Sequence, residues 1–383
     1  MSDALTAIAA AARALGERAA DELAGLDEDR AARRALALCA EAGVLRWMVP
    51  AAWGGADTGG LIDDKQVSTR AACALRDELA WHSGMLDVMC VMQGLGSYAV
   101  ALGGSPAMRS DLLPRVAAGT AVAAFGLTEP GAGSDLGSVA TRAERSGSGW
   151  RISGRKTFIS NAGLANCYTL LARTAGEPGD GGRGSLTMFL VPGEAPGLGV
   201  ERFEVLAPHP IGDVLLDGVE VGDDARLGEV GGGLDLALAV LARFRTSVAA
   251  AANGFARRAL AESLAHLRSR SQFGRPLSAF QGLRFDLAEM DARLRAAQLL
   301  VAEAAAAVDA GQAATREVAR AKLVATETAG WICDRAVQHF GGLGVKRGEV
   351  VERLYRDVRA LRIYEGTSEV QKLILAKDLL DEG

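Results

Sequence analysis

Apolar positions along this chain change their rhythm twice. Over residues 1–120 they recur at helical spacing, in alanine- and leucine-rich stretches with charged faces. Breakers interrupt these stretches at Pro50, Gly54-Gly55 and Gly103-Gly104. Over residues 121–230 short β-rich runs alternate with glycine clusters. Ala121–Leu127 reads as a short buried strand, and Trp150-Arg151-Ile152, Tyr168–Leu171 and Leu186–Val191 as further strands. Gly179–Gly184 reads as a polar hairpin loop. From residue 231 to 383 the helical period returns. Leu283, Leu287, Met290, Leu294 and Val301 share one helical face. Another alanine-rich helix follows Gly311 and must stop near Gly341-Gly342. The order is helices, strands, helices, which predicts an α+β chain.

A chain of 383 residues exceeds one ordinary core, so more than one domain is expected. Its 49% hydrophobic content is ample for burial, and alanine carries much of it, which suits closely packed helices. A net charge of −5 argues against nucleic acid or an anionic membrane as main partner. The five cysteines form no C-x-x-C pair and read as reduced thiols of a cytoplasmic protein. Asp3 and Glu17 fall where a secretory signal would need a basic and then an apolar region, so none is expected. No uncharged apolar run looks long enough to cross a bilayer, so no membrane insertion is expected. The scattered His82, His266 and His339 suggest no metal site.

Candidate chemistry concentrates in Thr128-Glu129-Pro130-Gly131-Ala132-Gly133-Ser134-Asp135. Glycines let the backbone approach a ligand closely, and free N–H groups can face an anion or a ring carbonyl. A Rossmann reading fails, because Gly137 falls one position late for the fingerprint and no strand–helix alternation surrounds it. Far downstream lies a second stretch, Arg356-Asp357 and Ile363-Tyr364-Glu365-Gly366-Thr367-Ser368-Glu369. Between them stand Lys156–Asn161, Arg270-Ser271-Gln272-Phe273-Gly274, Phe280-Gln281 and Gln338–Gly344. In this order the motifs resemble those of the acyl-CoA dehydrogenase family of flavoenzymes, over nearly the whole chain.

That resemblance implies an N-terminal all-α domain (1–120), a middle β-barrel-like domain (121–230) and a C-terminal four-helix bundle (231–383). It implies FAD as cofactor and an acyl-CoA substrate, with an acyl carrier protein thioester as the other possible carrier. Glu365 would abstract the α-proton while the β-hydrogen leaves as hydride to the flavin, giving a trans-2-enoyl thioester. Leu127, Thr128 and Ser160 would hydrogen-bond the flavin edge, and Phe158 would pack on the ring. Phe125, Gly133, Thr367 and Glu369 belong to the same cofactor set. Ser134 would contact both cofactor and the CoA part of substrate, with Arg245 and Gly366 also on substrate. Arg270, Phe273 and Gln281 would hold the FAD diphosphate and adenosine. Gln338, Gly341 and Gly342 match residues that relatives supply from a neighbouring subunit. A homotetramer and an electron-transferring flavoprotein partner follow from the same likeness. Thr367 or Ser368 would cap the last helix, Ser368 and Gln371 having the spacing of a capping box.

Some positions depart from the family. Phe244 stands where some members carry the base, and a phenylalanine cannot take a proton. Ala242 replaces an acidic residue, Phe158 a tryptophan and Ser160 a threonine. Ala207-Pro208-His209-Pro210 replaces a basic, glycine- and serine-rich stretch, and His209 receives no role. An oxidase of the same fold and a non-enzymatic helical assembly protein stay open as alternatives.

Overall fold

The computed structural model of the chain describes residues 3–381. Helices α1 (Asp3–Glu22), α2 (Glu28–Glu41), α3 (Thr69–His82), α4 (Gly84–Gly103) and α5 (Pro106–Ala117) come first. Strands β1 (Ala123–Gly126), β2 (Arg142–Ser146), β3 (Gly149–Ser160), β4 (Cys167–Arg173), β5 (Leu186–Pro192), β6 (Leu198–Arg202), β7 (Ile211–Gly222) and β8 (Arg226–Leu227) follow. Helix α6 (Gly233–Ser269), the short pair β9 (Ser271–Gln272) and β10 (Arg275–Pro276), and helices α7 (Gln281–Asp309), α8 (Thr315–Phe340), α9 (Val350–Arg359) and α10 (Ser368–Asp381) complete it.

Local chemistry sets the helix starts. Asp27 caps α2 by accepting the Arg30 N–H at 2.9 Å, with Glu28 and Asp29 facing the positive end of the helix dipole. Ser105 caps α5 through the Met108 N–H, and Pro106 opens the helix where its missing N–H costs nothing. The start of α3 is capped from a distance: Asp309, at the end of α7, accepts the Thr69 N–H at 2.7 Å and the Arg70 N–H at 3.2 Å. Helix α8 stops as its sequence demands, with Gly341 at φ 58°.

The chain divides into two compact units. One comprises the chain up to Ala20, Thr69–Asp87 and Arg245 onward. Here α7 packs along α8, and α9 and α10 pack on α8. Its core joins Ala249, Ala252 and Phe255 of α6 to Met290, Leu294 and Val301 of α7 and Ala325, Ala329 and Ile332 of α8, all buried. Small alanine side chains let the helix backbones approach closely while keeping the packing dense.

The other unit comprises Asp21–Ser68 and Val88–Phe244. Its strands form one sheet in the order β6-β7-β3-β2-β4-β5-β8, with β1 pairing β4 in parallel. Trp150, Ile152, Tyr168, Leu170, Phe189, Val214 and Val219 fill its core. The β3–β7 register shifts between Lys156 and Ile159, an irregularity that releases Thr157 and Phe158 from the ladder.

One expectation is corrected. Helix α4 is long and apolar enough to cross a bilayer, but 83% of that stretch is buried inside the protein. It is a core helix that a run-length reading passes over because Asp87 interrupts its first turn.

Candidate active site

In the first unit, Glu365 sits on a tight turn between α9 and α10. Its φ is 53° and that of Gly366 is 94°. The φ of Gly366 is one that only glycine adopts without strain, and a side chain there would also displace the Gln371 amide, 2.6 Å from a Cβ. The turn is braced through its carbonyls. Arg245 Nε donates to the Glu365 carbonyl at 2.7 Å. Lys322 Nζ and Gln371 Nε2 both donate to the Gly366 carbonyl, at 2.6 and 3.0 Å. Arg245 therefore holds the Glu365 peptide. The Glu365 side chain takes no part in these bonds. Its Oε2 is buried and has no hydrogen-bond partner among the described residues.

Burial pushes the Glu365 carboxyl above the ordinary carboxylate range, while Arg76, Arg245 and Lys322 pull it back and Asp87 adds a smaller upward push. Arg76 is itself held by a bidentate pair with Asp87, both bonds 2.7 Å, and donates to Ser247 Oγ at 3.0 Å. The Arg76 and Asp87 side chains are only 1% and 2% exposed, so this is a charge pair shut away from water. Sequence reading missed Arg76, Asp87 and Lys322, which lie far from the motif and have no local pattern.

The expected capping box does not form. Ser368 Oγ donates to Glu327 Oε1 at 2.6 Å, and Thr367 Oγ1 accepts the Val370 N–H at the start of α10. Ser368 faces the buried side of the turn, where a carboxylate on α8 competes successfully for its hydroxyl. Glu369 stays exposed in the first turn of α10, its carboxyl held low by its own backbone N–H and by Thr367.

In the second unit, Phe125 and Leu127 end the buried run that feeds the glycine loop. Glu129 and Ala132 exchange backbone bonds of 2.8 and 3.1 Å, closing a tight turn. Glu129 anchors it by accepting the Ala140 and Thr141 N–H groups and the Lys156 ammonium at 2.7 Å. Lys156 also donates to the Leu127 carbonyl at 3.1 Å. Burial lowers the Lys156 ammonium to about 8, with Glu129 opposing. Burial acts to raise Glu129, but Lys156 and the N–H donors outweigh it and hold it below the usual range. The Thr128 carbonyl accepts the Thr157 N–H, tying the loop to β3. Gly131, Gly133 and Ser134 stay exposed on its outer side.

Phe158, released by the bulge, lies at φ 55° with its ring 61% exposed against Phe203. Ser160 Oγ lies 3.2 Å from His209 Nε2, and His209 Nδ1 lies 2.9 Å from the Ala207 carbonyl. A carbonyl only accepts, so Nδ1 carries the proton and Ser160 donates to Nε2. Burial lowers the His209 ring and keeps it neutral. The histidine given no role thus fixes the Ser160 hydroxyl. Phe244 is fully buried against Gly94 and Tyr98.

Arg270, Phe273 and Gln281 lie exposed after α6, and Gln338, Gly341 and Gly342 lie exposed at the end of α8. His266 stacks on Phe340 with ring centroids 4.1 Å apart, which brings both segments to one end of the same unit. These surfaces suit a large cofactor with a planar ring and a diphosphate. A Cβ at Gly131, Gly133, Gly341 or Gly342 would have nothing within 4 Å, leaving room for close approach. Phe273 is 91% exposed, three residues beyond the exposed Arg270.

The glycine loop with its buried ion pair belongs to one unit, and the strained turn bearing a buried carboxylate with one unpaired oxygen to the other. The chain belongs to the acyl-CoA dehydrogenase family: residues 2–120, 124–219 and 231–380 match the family models of its N-terminal, middle and C-terminal domains. It is 35% identical over 350 residues to cyclohexane-1-carbonyl-CoA dehydrogenase of Geobacter metallireducens, spanning 91% of this chain and 89% of that protein. It is 36% identical over 312 residues to the CarC subunit of the caffeyl-CoA reductase-Etf complex of Acetobacterium woodii, spanning 79% and 80%. Butyryl-CoA dehydrogenase from Megasphaera elsdenii matches its fold with a TM-score of 0.91, at 29% identity over 99% of both chains. The protein is therefore an enzyme, an oxidoreductase acting on CH–CH bonds of acyl-CoA.

Proposed function

We propose that this enzyme desaturates an acyl-CoA between its α and β carbons, giving a trans-2-enoyl-CoA, with Glu365 as the base. The observation that carries this reading is the Glu365 carboxylate, buried with its Oε2 unpartnered on a turn held by Arg245, Lys322 and Gln371. A base must be desolvated enough to take a weakly acidic proton yet ionised when substrate arrives. Burial and the surrounding cations act on Glu365 in these opposite senses. The Glu365 N–H stands outside the bonds that brace the turn and is suited to polarise the thioester carbonyl.

FAD would be held by the Leu127–Ser134 loop, Phe158 and Ser160, and by Arg270, Phe273, Gln281, Gln338, Gly341, Gly342, Thr367 and Glu369. When bound, it supplies a ring that accepts the β-hydrogen as hydride. Ser134, Arg245 and Gly366 belong to the substrate side, Arg245 and Gly366 by shaping the turn. An electron-transferring flavoprotein is the proposed acceptor, and a homotetramer the proposed assembly. Similarity to a caffeyl-CoA reductase subunit favours a second reading, in which Glu365 delivers the same proton during reduction of an enoyl-CoA.

Glu365→Gln tests the assignment. The variant should keep FAD and lose anaerobic flavin reduction by acyl-CoA by roughly 10²–10⁴-fold, the share supplied by a general base. Reduction at near the parent rate would overturn it. Running the parent against a panel of acyl thioesters sets chain length and carrier. Peroxide formed without an added acceptor would mark an oxidase.

A further inference from the structure

We infer that Lys322 is the positioning residue of the Glu365 turn, setting both its conformation and the charge felt by the carboxylate. This rests on the reading of Glu365 as base. Lys322 lies on α8 with its side chain fully buried, and its ammonium donates to the Gly366 carbonyl at 2.6 Å. Five residues further along the same helix, Glu327 accepts Arg362 Nη1 at 3.1 Å and Ser368 Oγ at 2.6 Å. Helix α8 thus grips the turn at both shoulders through Glu327 and near its apex through Lys322.

The grip has work to do. A residue with a Cβ is unfavourable at the 53° φ of Glu365, and such a conformation persists only where surrounding bonds over-determine it. With one of its two donors removed, the Gly366 carbonyl is held less firmly, and the peptide flips more readily and carries the carboxylate out of position. Gln371 already donates to the same carbonyl, so hydrogen bonding alone does not call for a second donor. A buried ammonium is an expensive donor compared with an amide. Its charge explains its choice. Lys322 feels Glu365 most strongly among its charged neighbours, ahead of Arg245, Glu327 and Glu369. Glu365 in turn faces Arg76, Arg245 and Lys322 as cations and Asp87 as an anion. Removing Lys322 takes away one of the cations that favour ionised Glu365, so the carboxyl pKa must rise.

The test uses the full FAD-loaded chain with Lys322→Met, Lys322→Gln and Gln371→Leu, followed by anaerobic flavin reduction with acyl-CoA across pH. Lys322→Met should slow reduction by about 10²-fold while changing substrate dissociation less than about threefold. Lys322→Gln keeps a donor without the charge, so it should fold, slow reduction by about tenfold, and move the acid limb up by about one pH unit. Gln371→Leu removes a donor without removing charge and should leave the acid limb in place. If Lys322→Met fails to fold, Lys322→Gln decides. Lys322 variants that reduce flavin within twofold of the parent with an unmoved acid limb would overturn the inference. So would a rate loss that tracks melting temperature with the limb unmoved. Near-normal reduction by Glu365→Gln would instead overturn the base assignment, which separates the two failures.

Discussion

A side chain held at positive φ costs about 1–2 kcal/mol relative to glycine. Among the described residues other than glycine, Phe158, Asn161, Phe273 and Glu365 bear that cost. Phe158, Phe273 and Glu365 are candidates marked by the sequence motifs, and Asn161 belongs to the same motif as Phe158. Strain of this kind collects where geometry serves a ligand more than stability. Phe273 gives the cleanest test, because its ring is almost fully exposed. Phe273→Gly should raise the stability of the FAD-free protein by about 0.5–1 kcal/mol, since relief of the positive-φ strain outweighs the larger backbone entropy that glycine loses on folding. The same change should weaken FAD binding. Denaturant melts with and without FAD report both effects, and a glycine variant less stable than the parent without FAD would contradict this account.

Packing between α4 and α6 shows how one element makes room for a large side chain of another. Phe244 is accommodated because α4 has glycine at position 94, where a Cβ would lie 2.6 Å from the ring. The ring also meets Tyr98 edge-on, with centroids 5.8 Å apart. Gly94→Ala should therefore destabilise by about 1–3 kcal/mol, the usual cost of overpacking. In a Phe244→Leu background the penalty should shrink by at least about 0.5 kcal/mol, as expected for side chains in contact. Additive effects in this double-mutant cycle would show that the two do not share the space. Helix α8 is the other telling element. Its buried face supplies Lys322 and Glu327 to the turn, as well as Ala325, Ala329 and Ile332 to the core, so one helix couples bundle packing to site geometry.

At the scale of the molecule, the C-terminal helices keep apolar side chains in water. Leu299, Leu343, Val345, Leu373, Leu379 and Leu380 are all exposed. Solitary exposed leucines need no explanation, but a concentration of them on one bundle suits burial against another copy. Arg270 and the Gln338–Gly342 stretch open at one end of this bundle, so cofactor and association should be linked. Sedimentation should show an oligomer, expected to be a tetramer, whose stability depends on protein and FAD concentration. Arg270→Ala should release FAD and weaken the assembly together. A monomer holding a full complement of FAD at micromolar concentration would refute this.

Element types and the candidate loops were legible from the chain because their signals are local. Hydrophobic period separates α7 from β5 within a few residues, and the Glu365 turn and the glycine loop are contiguous motifs. The terminus of α8 was legible for the same reason, since glycine at position 341 admits the φ that ends the helix. Tertiary structure decided what those motifs are attached to. Lys322, Glu327, Arg76 and Asp87 reach Glu365 or its turn from distant segments, and no spacing rule connects them. Ser368 had the spacing of a capping residue, yet Glu327 claimed its hydroxyl, leaving the cap to Thr367. His209 looked idle until folding set it beside Ser160. A local pattern determines which backbone forms. The basicity of a carboxylate depends on long-range burial and charge, which exist only once the chain has closed around it.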